Sequence, residues 1–475
     1  MTVGNINVEA TIKRVRQQLE QEKDLSPAIK SSMEVLLVLV SLLLGRLGLD
    51  SSNSSKPPST DQHRKKVPRV SNGRKPGGQP GRSGKTLQAI DTPDEVKVLL
   101  VDRNHLPPGN YREVGYESRQ VVDLDISRVV TEFRAQVLES EQGKRYVAPF
   151  PKTVTRPVQY GNGVKVHAVY MSQYQMVPYQ RIGDHLREQM QIPVSLGSIY
   201  NFNQEAHDRL EAFDRWVKTQ LASSFLAHAD ETGINIGGKG HWLHSVSNDR
   251  YTHFAPHAKR GTEAMDEIGI LPAFRGILCH DHWRPYFRYD VSHALCNAHI
   301  SRELRRAFEQ DEQQWADKMM HLLQEINKAT QEAGGHLDPH VADRYRSRYR
   351  ILLDEAEKEC PPPDESRRKP GQRGRLARSK ARSLLERLRE YEKDVLRFMV
   401  VKEVPFTNNQ AENDLRMTKV QQKISGCFRS RDGAEIFCRV RSYLSTCRKH
   451  GITAAEALRL LFDGKLPGFM LDGSS

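Results

Sequence analysis

The first 278 residues contain no cysteine, and the six that follow (279, 296, 360, 427, 438 and 447) show no framework spacing. That argues against a disulfide-stapled scaffold and for reduced, buried thiols. Long apolar runs are missing too. The longest, "VLLVLVSLLL" at 35–44, is ten residues, half of the roughly 20 that cross a bilayer, so no membrane partner is expected. No secretory pattern opens the chain, and no phosphate-cradling glycine loop calls for a nucleotide. A cytoplasmic protein is the expectation. Acidic charge is in deficit: 72 Lys and Arg face 59 Asp and Glu over 475 residues, for a net charge of +13. Such a balance favours a polyanionic partner.

The excess sits in two places. Residues 56–85 hold nine Lys or Arg against Asp61, and residues 361–382 hold eight against Asp364 and Glu365. Elsewhere the chain is close to neutral. A charge run is often only a solvated linker; contact with nucleic acid is the competing reading. The first run lies in "SSNSSKPPSTDQHRKKVPRVSNGRKPGGQPGRSGK", which has too few apolar residues to bury a core.

Hydrophobic spacing divides the rest. Residues 8–48 keep a helical period broken at Pro27, and suit an assembly helix packing on a partner helix or a second copy. Short β-like runs such as "VKVLLVD" and "SRVVTEFRAQVLE" over 95–148 suggest a small β-rich module. In "QRIGDHLREQMQIPVSLGSIYNFNQEAHDRL", Pro193 and Ser195 fall where a turn and an N-cap belong, the rhythm of a helix-turn-helix or an ordinary helical hairpin. Five short runs follow: "SFLAHADETGINIG", "HWLHSVSN", "YTHFAPH", "RGILCHDH" and "HALCNAHI". They read as five strands, with a helix at 261–269 between the third and fourth. Residues 301–400 read as charged helices interrupted by the second basic run. A helix opens near Thr407, and "TAAEALRLLF" closes the fold.

Asp230 ends "FLAHAD" and Asp281 ends "GILCHD". One Asp at a strand end is usually a turn cap. Two on adjacent first and fourth strands would repel, unless a shifted pKa or a metal compensates. All-oxygen ligands suit Mg²⁺ or Mn²⁺. Glu412, in "PFTNNQAENDLR", is a candidate third acid, with Thr407, Asn408 or Asn409 capping its helix and Arg416 one turn on. Three such acids make a two-metal site for phosphoryl transfer. Other candidates have bland readings beside them. Cys296 and His299 have metal-like spacing but no second pair. His228, His280 and His282 flank the acids. Glu231 reads as a solvent-facing neighbour, and Trp283 and Tyr286 as base-stacking or loop-packing aromatics.

The ordered set "NSSKPPSTD", "GGQPG", "HADET", "HDHWRPY", "CNAHISREL", "PFTNNQAENDLRMTKVQQKISGCFRS" and "RSYLSTCRKHGITAAEALRLLF" resembles the bacterial DDE transposases of the Insertion Sequence sixty-six family. The likeness runs over nearly the whole chain, and its last two motifs are the most specific. It implies an α/β fold: a ribonuclease-H-like core of a mixed five-stranded sheet with flanking helices, carrying a helical insertion, beside N-terminal helical and small β-rich modules. It implies an enzyme that binds terminal inverted repeats and target DNA, and that cleaves and joins strands with two Mg²⁺ or Mn²⁺ ions. The catalytic and metal-binding residues would be Asp230, Asp281 and Glu412. Lys65, Lys66, Arg74, Lys75, Arg82 and Lys85 of the basic arm would lie along DNA; beyond the Glu, Arg416 would neutralise Glu412 or touch a DNA phosphate, and Lys419, Lys423 and Arg429 would grip DNA or be solvated. A homo-oligomer in the active complex, accessory proteins of the same element and a nucleoid-associated location are further expectations.

The units expected are an assembly segment (1–50), the arm (51–90), the β-rich module (91–155), a helix-turn-helix-like part (156–218), the core's first part (219–310), the insertion (311–400), the closing helix (401–440) and a C-terminal helical segment (441–475). One departure stands out. The family's paired cysteines between arm and helices are replaced by "DRNHLPPGNYREVGYESRQ", so no structural zinc is expected. The rival readings are a catalytically silent DNA-binding protein derived from a transposase, and a ribonuclease-H-like nuclease without strand transfer.

Overall fold

The computed structural model describes residues 2–3, 6–22, 25–47, 53–54, 87–364, 366 and 376–471. The basic-arm residues Lys65, Lys66, Arg74, Lys75, Arg82 and Lys85, and most of the second basic run, lie outside them. At the N-terminus, helices Val8–Gln21 and Pro27–Leu47 are separated at residues 22–26. Pro27 opens the second helix, where its missing N–H is harmless. Over 87–161 the backbone carries one two-stranded hairpin, Val137–Glu139 with Arg145–Val147, and one short 3₁₀ turn. The run "VKVLLVD" forms no strand and its Leu99 and Leu100 are exposed.

From residue 162 the chain is densely structured. Helices α1 (Tyr179–Met190), α2 (Leu196–Arg209) and α3 (Glu211–Ala222) follow one another. Ser195 caps α2 by accepting the Ser198 N–H at 3.0 Å, as its position predicts. The sheet then forms from β1 (Leu226–Ile236), β2 (Lys239–Ser247), β3 (Thr252–His257), β4 (Ile277–His280) and β5 (Ser292–Leu295). Its order is β3-β2-β1-β4-β5, with β1–β2 and β2–β3 antiparallel and β1–β4 and β4–β5 parallel. This mixed α/β architecture is consistent with a ribonuclease-H-like core. Helix α4 (Thr262–Ile268) joins β3 to β4 as expected. One strand is shorter than its sequence suggests: Cys296 ends β5's run, and "NAHI" begins helix α5 (Asn297–Asp311).

Helices α6 (Gln314–Glu332), α7 (Pro339–Glu359) and α8 (Lys380–Glu390) follow before α9 (Asn409–Ser425) returns to the sheet. α10 (Arg431–Lys449) and α11 (Ala454–Phe462) complete the chain's helices that matter here. Alternation along the strands separates two faces. Ala227, Ala229 and Leu278 join one core with α2, α3, α10 and α11, while Ile277, Cys279 and Leu295 join a second with α5 to α8. A third, smaller core puts Leu415 of α9 against Ile234, Ile236 and Leu243.

The entry to β4 is unusually tight. A Cβ at Gly276 would lie 2.4 Å from the Phe225 carbonyl oxygen and 2.5 Å from that of Ser224. Only glycine allows β4 to start this close to β1. That approach sets the register of Leu226 with Ile277 and of His228 with Cys279.

Candidate functional site

Carried two residues beyond its last parallel pair, that register sets Asp230 opposite Asp281, both on the face covered by α9. Asp281 sits just past the end of β4, as its sequence suggests. Asp230 does not sit at a strand tip: β1 runs on to Ile236, paired with β2, and Asp230 lies opposite Ser245. What ends near Asp230 is only the parallel half of the ladder.

Both acids also accept a nearby backbone N–H, Asp230 within its strand and Asp281 in a turn. Asp230 Oδ1 accepts the Glu231 N–H at 2.9 Å, and Asp281 Oδ1 accepts the Trp283 N–H at 2.9 Å. Directly after Asp281, His282 holds φ 74°, in the left-handed region, where a side chain is disfavoured. Its N–H reaches back to His280 Nδ1 at 3.2 Å. This bend turns the chain off the sheet immediately beyond the carboxylate.

Burial pushes the Asp230 carboxyl well above its usual pKa, and the charges of Glu231, Asp281 and Glu412 push the same way. The field of Glu412 therefore reaches Asp230 from α9, across 182 residues of sequence. Glu412 itself lies in the first turn of α9, with Oε1 3.9 Å from His299 Nδ1 on α5. His299 in turn feels both Asp281 and Glu412, although burial is the largest influence and lowers its pKa. The three acids and this histidine thus share one electrostatic neighbourhood.

The amides before α9 have a different job from capping. Asn408 occupies the N-cap position without a side-chain cap bond. Its Nδ2 instead donates to the Ala229 carbonyl at 2.9 Å, its Oδ1 lies 2.8 Å from His228 Nδ1, and its backbone N–H reaches Cys296 Sγ at 3.1 Å. Asn408 is 2% exposed. One buried side chain thereby ties α9 to β1 next to Asp230. Asn408→Ala is expected to destabilise the protein by about 2 kcal/mol, because a buried carbonyl and a histidine nitrogen lose their partner. Urea unfolding measures it; an unchanged midpoint would mean the clamp is idle.

Glu231 is the clearest departure from the sequence reading. Its side chain is 1% exposed, on the opposite face of β1 from Asp230. Arg260 holds Glu231 Oε1 through Nε at 2.8 Å and through its terminal nitrogen at 2.5 Å, and Tyr286 donates to Oε2 at 2.6 Å. The Arg260 guanidinium lies 4.7 Å from the Trp242 ring and 4.2 Å from the Trp283 ring. Tyr286 is 2% exposed. Tyr286 is not free to stack on a base, since it braces Glu231, while half-buried Trp283 packs on Arg260.

The flanking histidines are structural as well. His280 is buried and its Nε2 lies 3.0 Å from His293 Nδ1. Burial lowers the His282 pKa to about 3, aided by Arg387 and Arg284. Of the cations after Glu412, Arg416 is exposed and forms no ion pair with Glu412, which leaves the second of its two expected roles, contact with phosphate. Lys419 Nζ donates to the Gly233 carbonyl at 2.9 Å, pinning α9 to β1. Lys423 and Arg429 are exposed.

Sequence reasoning missed Arg260, Asn408 in its actual role, and the meeting of His299 with Glu412. Only the Cys296–His299 spacing signalled the last. It places both residues at the start of α5, and the third partner arrives from 113 residues further on.

Comparison with known proteins gives one clear result. A family model described as Transposase IS66 family matches residues 157–436, more than half of the chain. No curated protein matches it. The matched span runs from before α1 into α10, and contains the sheet, the three acids, His299 and Asn408. Among the described residues no helix is long and apolar enough to cross a membrane.

Proposed function

The chain belongs to the Transposase IS66 family, and from that premise we propose that it binds the ends of a mobile element, cleaves DNA there and joins those ends to target DNA by metal-dependent phosphoryl transfer. The observation that carries the reading is Asp230: a buried carboxyl whose pKa is raised by burial and by the charges of Glu231, Asp281 and Glu412. Neighbouring acids that repel one another are stabilised as anions by a cation among them.

The donor set fits a hard divalent ion. Asp230 and Asp281 from the sheet and Glu412 from α9 would hold Mg²⁺ or Mn²⁺, with two ions shared among them. When bound, such ions activate a water or a 3′-hydroxyl and stabilise the departing oxygen. The chain's own part is positioning. Asn408 holds the start of α9 against β1, Lys419 holds its middle, and the turn after Asp281 is set by the Trp283 N–H. Lys423, in the last turn of α9, and Arg429, just beyond that helix, are exposed and suit phosphate contact.

The core of this proposal is ribonuclease-H-like, with α6 to α8 as an insertion between sheet and closing helix. Its active state is an oligomer. Helix Pro27–Leu47 leaves Val35, Leu36, Leu39 and Leu43 about half exposed, an apolar surface that a second copy would cover.

The test is a joining assay with the full chain, a labelled duplex of the element's own end and a target plasmid. Joined product is expected with Mg²⁺ or Mn²⁺ and none after chelation. Joining that persists in EDTA, or no cleavage with either ion, overturns the reading.

A further inference from the structure

The acids are not alone in the pocket. Cys296 Sγ, His299 and a Glu412 carboxylate oxygen all lie within 4.8 Å of one another. His299 Nδ1 and Glu412 Oε1 are each buried, and each has no hydrogen-bond partner among the described residues. Their separation of 3.9 Å is beyond hydrogen-bond reach, so neither satisfies the other. Two unpartnered polar atoms facing each other, each shielded from water, are unfavourable unless something stands between them. A divalent ion, with metal–ligand bonds of about 2.0–2.3 Å, spans such a gap with a small closing movement.

We propose that His299 and Glu412 hold a divalent transition ion, with Cys296 Sγ closing the same site. The inference deepens the functional reading above and rests on Glu412 being a metal-binding acid. Its chemical content is that the pocket is uneven. Around Asp230 and Asp281 the donors are oxygens, which suit Mg²⁺. Around Glu412 they are oxygen, imidazole nitrogen and sulfur, which suit Zn²⁺ and, among hard ions, admit Mn²⁺ more readily than Mg²⁺.

The local structure supports a built site rather than an accident of rotamers. Cys296 is the N-cap residue of α5 and His299 lies one turn in, so both side chains project from the same helix end. Cys296 is 1% exposed, and its sulfur accepts the Asn408 N–H. That same Asn408 anchors the helix carrying Glu412. One residue therefore keeps the sulfur and the acid in register.

The experiment uses the full chain without DNA, so that binding is read apart from catalysis. Mn²⁺ affinity is measured by electron paramagnetic resonance, with Mg²⁺ as competitor, for the wild type, His299→Ala, His299→Gln and Cys296→Ser. His299 substitution is expected to weaken Mn²⁺ binding at least about tenfold, and to remove nitrogen coupling from the bound-Mn²⁺ spectrum, while leaving Mg²⁺ affinity unchanged. With Co²⁺ as probe, the wild type is expected to show a sulfur-to-metal absorption band that Cys296→Ser lacks. Unchanged Mn²⁺ affinity with no nitrogen coupling in the wild type overturns the proposal. So does a His299 variant that binds Mn²⁺ normally but cleaves poorly, since His299 would then act on DNA. Asp230→Asn, assayed for cleavage in parallel, reports on the functional reading alone: wild-type cleavage by that variant would sink the reading while leaving the metal-binding result to stand on its own measurements.

Discussion

Asp230→Asn, Asp281→Asn and Glu412→Gln are each expected to lower metal-dependent strand cleavage by about three powers of ten or more, since a bound ion contributes several kcal/mol to the transition state. Binding to the element's ends should survive, because phosphate contacts come from cations elsewhere. A second expectation separates Asp230 from a merely structural acid. Its folded-state pKa is raised by burial and by the neighbouring acids. In metal-free protein, stability attributable to this group is therefore lost as pH rises from about 3.9, the ordinary Asp value, through the raised value. Asp230→Asn removes that loss. The variant should unfold at a higher temperature than wild type in EDTA at pH 8, with the gap closing toward pH 4. An inactive Asp230→Asn that is also less stable in EDTA at pH 8 would contradict this account.

Arg260→Ala is expected to be the most damaging single change to stability at the site, about 2–3 kcal/mol at pH 8. Breaking a buried ion pair from one side strands the other charge, and the figure is discounted because Arg260 is itself 38% exposed. The stranded group is Glu231, whose pKa burial already raises and which feels Asp281 as well. A lone buried carboxylate takes up a proton, so the penalty grows as pH rises above about 4.3 and shrinks below it. Urea unfolding at pH 5 and pH 8 should show the larger loss at pH 8. Adding Glu231→Gln to Arg260→Ala should recover most of it, the signature of coupling within the pair. Wild-type stability of Arg260→Ala at pH 8 would show that the two tryptophans, not the ion pair, hold this corner.

Much of the sheet was legible. Five apolar or alternating runs and a helix between the third and fourth follow from local pattern, while the adjacency of the first and fourth strands was a supposition that the register of β1 with β4 bears out. The strand carrying "HALCNAHI" was overrun because apolar residues continue into α5, and period alone does not mark where a short strand becomes a helix. The β-like runs of 95–135 show the opposite failure: alternation without a partner strand to pair with leaves no sheet.

Within the site, the difference between local and distant partners decides what could be read. Asp281 and its turn are local, and the sequence conveys them. Glu231 looked solvent-facing because its counter-charge, Arg260, lies 29 residues away, and its second partner, Tyr286, 55. Asn408 sits where a cap belongs, and nothing nearby reveals that its side chain serves β1, 179 residues earlier. Arg416 had helical spacing from Glu412, yet the acid turns toward His299 and leaves the arginine in solvent. Propensity places a residue on an element; only tertiary packing chooses its partner.

The chain leaves the sheet at Asn297 and comes back at Phe406, and the two points are stitched: the Asn297 N–H donates to the Phe406 carbonyl at 3.0 Å. The described residues between them form an excursion entered and left through one doorway. Changes of length in α6 to α8 should therefore leave Glu412 in place, so long as those helices still roof Ile277, Cys279 and Leu295.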